Sequence, residues 1–156
     1  MTVYVCSLSA SPDQLIQPQT MTLLRFPFEE NQIDKWSMHQ PSQPDGLTAT
    51  SSSSRAGLIW PSSTGWGSLT AEFTWEAGDY TEIRDQFVRD PLSFTDDPNN
   101  ATALEHRALS PGLQLFAKQH EIAVYPGTSL GVMVWHNDKV SRKVTYAQFK
   151  LSIHPW

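Results

Sequence analysis

An all-β sandwich of the jelly-roll kind is what the sequence predicts, and three observations carry that prediction. Apolar and polar residues alternate with period two in several separate stretches. The chain is broken into short segments by 11 prolines and 8 glycines. No stretch holds a 3.6-residue apolar period for more than a few turns. About eight short strands joined by turns then pack as two sheets around one core. A chain of 156 residues suits a single domain, 1–156, and at that length roughly 70% of the unfolded surface is buried.

In chain order, "MTVYVCSLSASPDQ" (1–14) sets Val3 and Val5 opposite Tyr4 and Cys6, which suits a first strand but also a protruding arm. Cys6 is the only cysteine, so the chain can form no intrachain disulfide and no cysteine-built zinc site; burial as a small hydrophobe is expected. "TMTLLRFPF" puts Leu24, Phe26 and Phe28 on one side, and Pro27 marks an edge or bulged strand because it has no N–H to give. The clearest alternation is "SLTAEFTWE", with Leu69, Ala71, Phe73 and Trp75 against Thr70, Glu72, Thr74 and Glu76. In "DYTEIRDQFVRDPL" the Asp79–Glu82 spacing allows a capping box, but Ile83 and Phe87 favour a strand.

"GLQLFAKQHEIAVYPG" starts with Leu113 and Leu115 on one face and ends with Ile122 and Val124 on the other, which predicts a bulge or turn near Lys118–His120. The final "TYAQFKLSIHPW" alternates Phe149, Leu151 and Ile153 with Lys150, Ser152 and His154, a core strand whose deletion unfolds the chain. The Pro-, Ser-, Asn- and Asp-rich stretches 37–57 and 93–112 read as surface loops.

One strand breaks the pattern. In "GTSLGVMVWHND" (127–138), Leu130, Val132 and Val134 point one way and Met133 and Trp135 the other. Both faces are dry, so a third layer is required, and no helix in the sequence offers one. A second subunit would supply it, with Met133 and Trp135 meeting their symmetry mates.

Composition narrows function. Eleven Lys+Arg against 16 Asp+Glu leave a formal charge of −5 with no basic stripe, so nucleic acid is not an expected partner. The N-terminal stretch has neither the basic start nor the apolar run of a signal or membrane span, and synthesis in the cytosol without membrane attachment is expected. The five histidines, 39, 106, 120, 136 and 154, lack the spacing that sets two ligands on one face, so no metal is expected. His136 draws attention only because it follows the doubly dry strand.

Asp96, Asp97, Asn99 and Asn100 offer oxygen ligands for calcium but read first as an Asx-rich turn. The sequon at Asn100 is expected to be chance. No nucleophile elbow, Cys–His pair or phosphate loop occurs, so no enzyme and no cofactor are expected. Trp60 and Trp66 in "IWPSSTGWGS" read as surface tryptophans that pack at the sandwich end, meet a partner or stack on a sugar.

The run "LQLFAKQHEIAVYPGTSLGVMVWHND…VTYAQFKLSIHPW", with the earlier "GWGSLTAEFTWE", resembles the trimeric jelly roll of the tumour necrosis factor and complement globular-head superfamily, especially its phage and bacterial members. The matching features are Pro126 and Gly127 before the strand at 129–136 and the last strand at Tyr146–Ile153, over residues 15–154. The resemblance implies a homotrimer with Met133, Trp135, His136 and Tyr146 at the subunit contact. Without a stalk, anchor or leader in the sequence, it implies a capsid decoration protein on the virion surface, bound to the major capsid protein of a phage head. Residues 1–14 would then be the first strand or a capsid-contacting arm. The alternative it leaves open is a fibre knob that binds a cell-surface glycan through Trp60, Trp66 or the loops at 36–55 and 93–111.

Overall fold

The alternation becomes two antiparallel sheets packed face to face in a computed structural model that describes residues 1–10, 14–30, 32–96 and 100–156. The strands are β1 (Tyr4–Ala10), β2 (Gln14–Ile16), β3 (Thr22–Leu23), β4 (Gly65–Trp75), β5 (Ile83–Arg89), β6 (Asn100–Arg107), β7 (Gln114–Val124), β8 (Leu130–His136) and β9 (Arg142–Pro155). The front sheet runs β1-β9-β4-β7, with β2 also on β9, and the back sheet runs β3-β8-β5-β6. A 3-10 turn, Ser54–Gly57, interrupts the long β3–β4 connection.

The core lies between the sheets where period two places it. Leu69, Ala71, Phe73 and Trp75 from β4 and Ala147, Phe149, Leu151 and Ile153 from β9 meet Ile83, Phe87, Val132 and Val134 of the back sheet, all essentially closed to solvent. Each large apolar side chain buried this way stabilises the fold by about 1.5–3 kcal/mol. Phe149 bridges the layers, its ring 6.1 Å from Phe26 and 6.0 Å from Phe87.

Residues 4–10 are the first strand, paired with β9 from Tyr4↔Ile153 to Ala10↔Ala147. Cys6 is fully buried, and burial pushes its thiol far above the ordinary range. Residues 83–89 are the expected strand. In "TMTLLRFPF" only Thr22–Leu23 pairs as regular strand, although Leu24 and Phe26 are buried and their N–H groups still donate to Val132 and Ala56 carbonyls.

Three expectations need correction. The stretch 93–112 is not all loop, because Asn100–Arg107 forms edge strand β6; turn-forming residues on both sides masked a strand paired on one side only. No bulge interrupts β7, which pairs with β4 without a register shift from Gln114↔Trp75 to Val124↔Gly65. The face that runs inward is Phe116, Lys118, His120 and Ile122, so Lys118 occupies a core position while Leu113 and Leu115 stand in solvent. Register shifts fall elsewhere, between β4 and β9 at Thr74–Trp75 and between β5 and β6 opposite Asp85–Phe87, where Ala103 at φ 51 turns Leu104 outward.

The third correction concerns the doubly dry strand, because the chain itself covers part of its outer face and leaves Met133 and Trp135 half-buried. Met133 packs with Leu23, Leu58, Trp60 and Leu92, and the Arg84 guanidinium lies 4.2 Å from the Trp135 ring centre. Two glycines permit this close cover. A Cβ at Gly131 would stand 2.5 Å from Leu23 Cδ1, and one at Gly57 2.4 Å from the Leu24 carbonyl oxygen.

Candidate functional site

The two long edges of the front sheet are treated differently. Along β1, Ile33 exchanges two backbone hydrogen bonds with Ser7, and the Gln32 side-chain amide does the same for Ser9, accepting from its N–H and donating to its carbonyl, both at 2.8 Å. That edge is closed to another strand. Among the described residues β7 has no such neighbour beyond β4. Two of its outward carbonyls accept from arginines, Ala117 from Arg107 (3.4 Å) and Ala123 from Arg89.

The β6–β7 flank is sealed by a buried ionic clamp. The Lys118 ammonium donates to Asp85 Oδ1 (2.6 Å), to the Asp85 carbonyl (3.1 Å) and to the Ala103 carbonyl. Asp85 Oδ2 also accepts from Arg107 Nε at 2.5 Å, and Arg107 reaches Glu105 at 2.9 Å. The side chains of Lys118 and Asp85 are both fully closed to solvent. A buried charge is tolerable only when paired and hydrogen-bonded in this way, and the clamp ties β7 in the front sheet to β5 and β6 in the back.

Apolar surface collects at this flank. Leu104, Leu113 and Leu115 are 49%, 63% and 68% exposed. On the outer face of the front sheet Leu115 pairs with Thr74, which pairs with Tyr146, so the three form one cross-strand row. Tyr146 is half-buried, and its hydroxyl accepts from Gln148 Nε2 at 2.5 Å. Towards the middle of the face the surface turns polar, with a depression of about 340 Å³ lined by Thr70, Glu72, Gln119, Gln148 and Lys150.

The sequence-predicted contact residues do not form one surface. Met133 and Trp135 lie on the outer face of the back sheet, under Leu58, Trp60 and Arg84. His136 is fully buried: its Nε2 lies 2.9 Å from the Ile16 carbonyl, and its ring meets Trp75 and Tyr80 edge-on. A side chain so enclosed reaches no partner, which removes it from the expected interface. Tyr146, on the front sheet, shares its row with an exposed leucine.

Of the two tryptophans read as surface residues, Trp60 is 5% exposed and stacks under Phe94 at 6.2 Å, itself covered by Arg55 at 4.2 Å. Trp66 is 44% exposed. The calcium expectation falls largely outside the described residues, since 97–99 are not described. Among the described residues no group of three His, Cys, Asp or Glu side chains converges as a metal site.

Reasoning from sequence missed the clamp and the leucine flank together. A lysine at an inward position of the strand is the available signal, where the leucine pattern instead points to a bulge or turn near Lys118–His120.

No protein-family model matches the chain, and no curated protein matches it significantly. Solved structures do. The globular domain of the zebrafish complement 1qA protein aligns at TM-score 0.60 and 8% identity, covering 98% of each chain. Murine APRIL aligns at 0.62 and 9%, covering 98% of this chain and all of that one. Eiger TNF from S. frugiperda aligns at 0.62 and 8%, covering 99% of this chain and 94% of that one. The fold is the jelly-roll sandwich of the tumour necrosis factor and complement globular domains, carried here by a sequence with almost no identity to them.

Proposed function

We propose that the chain is a non-catalytic assembly module that forms a homotrimer and decorates the head of a phage by binding its major capsid protein. The observation that carries the self-association is the pair of exposed leucines, Leu113 and Leu115, the second in one cross-strand row with Thr74 and half-buried Tyr146, beside the β7 edge, which among the described residues pairs only with β4.

The chemistry of that edge favours a particular kind of contact. Arginine caps on Ala117 and Ala123 oppose continuous β7-to-β7 pairing, which would give a two-fold dimer. Side chains must then make the contact, with the leucine flank of one copy against the outer sheet face of the next. Such a head-to-tail contact closes into a ring when the rotation from one copy to the next is a whole fraction of a turn, and three is the number implied by the superfamily resemblance. The shell-binding role rests on the resemblance to phage members, and the virion surface is the corresponding location.

The test has two stages. Native mass by sedimentation should give three subunits at about 1 µM chain, as expected for an obligate oligomer. Leu113→Glu with Leu115→Glu should give a folded monomer, because losing two buried leucines removes about 3–6 kcal/mol of contact energy. Met133→Glu should not shift the equilibrium by opening a subunit contact, since its cover is intramolecular. A wild-type monomer at this concentration overturns the assembly reading. A trimer that neither binds purified heads nor raises their disruption temperature overturns the decoration reading alone.

A further inference from the structure

At the other end of the front sheet lies an aromatic surface that assembly through Leu115 does not use. Trp66 pairs with Ala123 of β7 and His154 of β9. Tyr125 and Trp156 follow the residues paired with Gly65, one on each side of the same strand end. Trp66, Tyr125 and Trp156 are 44%, 45% and 71% exposed, although large aromatic side chains are ordinarily well buried. The Trp66 indole is held in place: its Nε1–H donates to Glu121 Oε2 at 3.1 Å, and the other Glu121 oxygen accepts from the Ser68 hydroxyl at 3.2 Å.

We propose that this end binds a neutral pyranose, its apolar C–H face stacked on Trp66 and its hydroxyls bonded by the His154 imidazole and the free lone pairs of Glu121. Three features favour that occupant. Together the three rings offer roughly 300 Å² of exposed surface, far below the about 800 Å² per partner of a stable protein interface. A ring already oriented by a carboxylate loses little entropy on binding. The Glu121 carboxylate beside the indole, on a chain of formal charge −5, repels acidic sugars and leaves neutral ones.

The site is separate from the proposed subunit contact. Trp66 and Thr74 stand eight positions apart on β4, about 27 Å along a strand. Sugar binding and assembly can therefore fail independently.

The experiment uses the full chain with lactose, cellobiose and maltose as neutral probes and sialyllactose as the acidic control. It is read by saturation-transfer NMR and tryptophan fluorescence. At least one neutral disaccharide should bind with a dissociation constant on the order of 1 mM, with transfer concentrated on the C–H protons of one ring face. Trp66→Ala should weaken it at least about tenfold, with native mass and thermal midpoint retained. Trp156→Ala, at a 71% exposed position clear of the core, should weaken it about threefold and guards against a misfolded first variant. No transfer to any neutral probe at about 20 mM, or equal transfer in Trp66→Ala and wild type, overturns the proposal. Tighter binding of sialyllactose than of lactose overturns the neutral preference.

Discussion

Replacing Lys118 by methionine tests whether the ionic clamp holds β7 in place. The three protons of the ammonium are all used: on Asp85 Oδ1 at 2.6 Å, on the Asp85 carbonyl at 3.1 Å and on the Ala103 carbonyl. Methionine fills most of the same volume but leaves two carbonyls without that donor and Asp85 with Arg107 as its remaining ionic partner. Breaking a buried pair costs about 3–5 kcal/mol. The surviving Arg107 contact puts Lys118→Met near the lower end, about 3 kcal/mol. Domain stabilities run about 5–15 kcal/mol, so the loss is large, and for a chain of this length it lowers the thermal midpoint by about 6–12 °C.

Urea unfolding followed by tryptophan fluorescence gives the free energy directly, with an unchanged slope confirming that the same surface unfolds. Lys118→Met combined with Asp85→Leu should return to within about 2 kcal/mol of wild type, because the desolvation cost of both charges disappears with them. A loss below about 1 kcal/mol for the single change, at unchanged slope, refutes the reasoning.

Other consequences are also measurable. Gln32→Ala removes the two amide bonds that close β1 at Ser9; it should cost about 1–3 kcal/mol and raise the aggregation rate seen by light scattering, through the exposed edge. His39 is buried, which lowers its pKa from the ordinary 6.5 despite carbonyls of Leu58 and Phe26 that favour its charged form. The unfolded chain then binds the proton more readily. Its contribution is therefore full above about pH 6.5 and is lost as pH falls through the folded value; thermal midpoints should drop from pH 7 to 5, with a shallower slope in His39→Gln. Deleting residues 147–156 removes the part of β9 paired with both β1 and β4, and the product should show no cooperative unfolding transition by circular dichroism.

Period-two alternation made the core strands legible. β4 and β9 show it plainly because each buries one face and wets the other, and their inward residues are those the spacing names. The edge strand β6 was not legible in the same way. It pairs on one side only, carries a bulge at Ala103, and sits among turn-forming residues, so neither its pattern nor its surroundings distinguish it from loop. Tyr146 could be placed on a strand from sequence, but its row with Thr74 and Leu115 depends on pairings between strands distant in the chain.

β7 and β8 misled for one shared reason, which is that alternation says which residues share a face but not what lies over it. Two apolar faces on β8 implied another layer, and that layer exists, but it is Leu23, Leu58, Trp60 and Leu92 arriving from elsewhere in the chain. On β7 the pattern appeared to reverse because leucine was assumed inside and lysine outside. The opposite arrangement holds: Lys118 is inward because the Asp85 carboxylate and the Ala103 carbonyl wait there, and Leu115 is outward and 68% exposed. A buried lysine on a strand is expensive without its partners, so its placement cannot be read until the fold brings Asp85, 33 residues away in sequence, against it. Once that pair is in place the leucine face has no inward option. The ion pair that secures β7 is therefore also what commits Leu115 to the surface from which assembly is proposed.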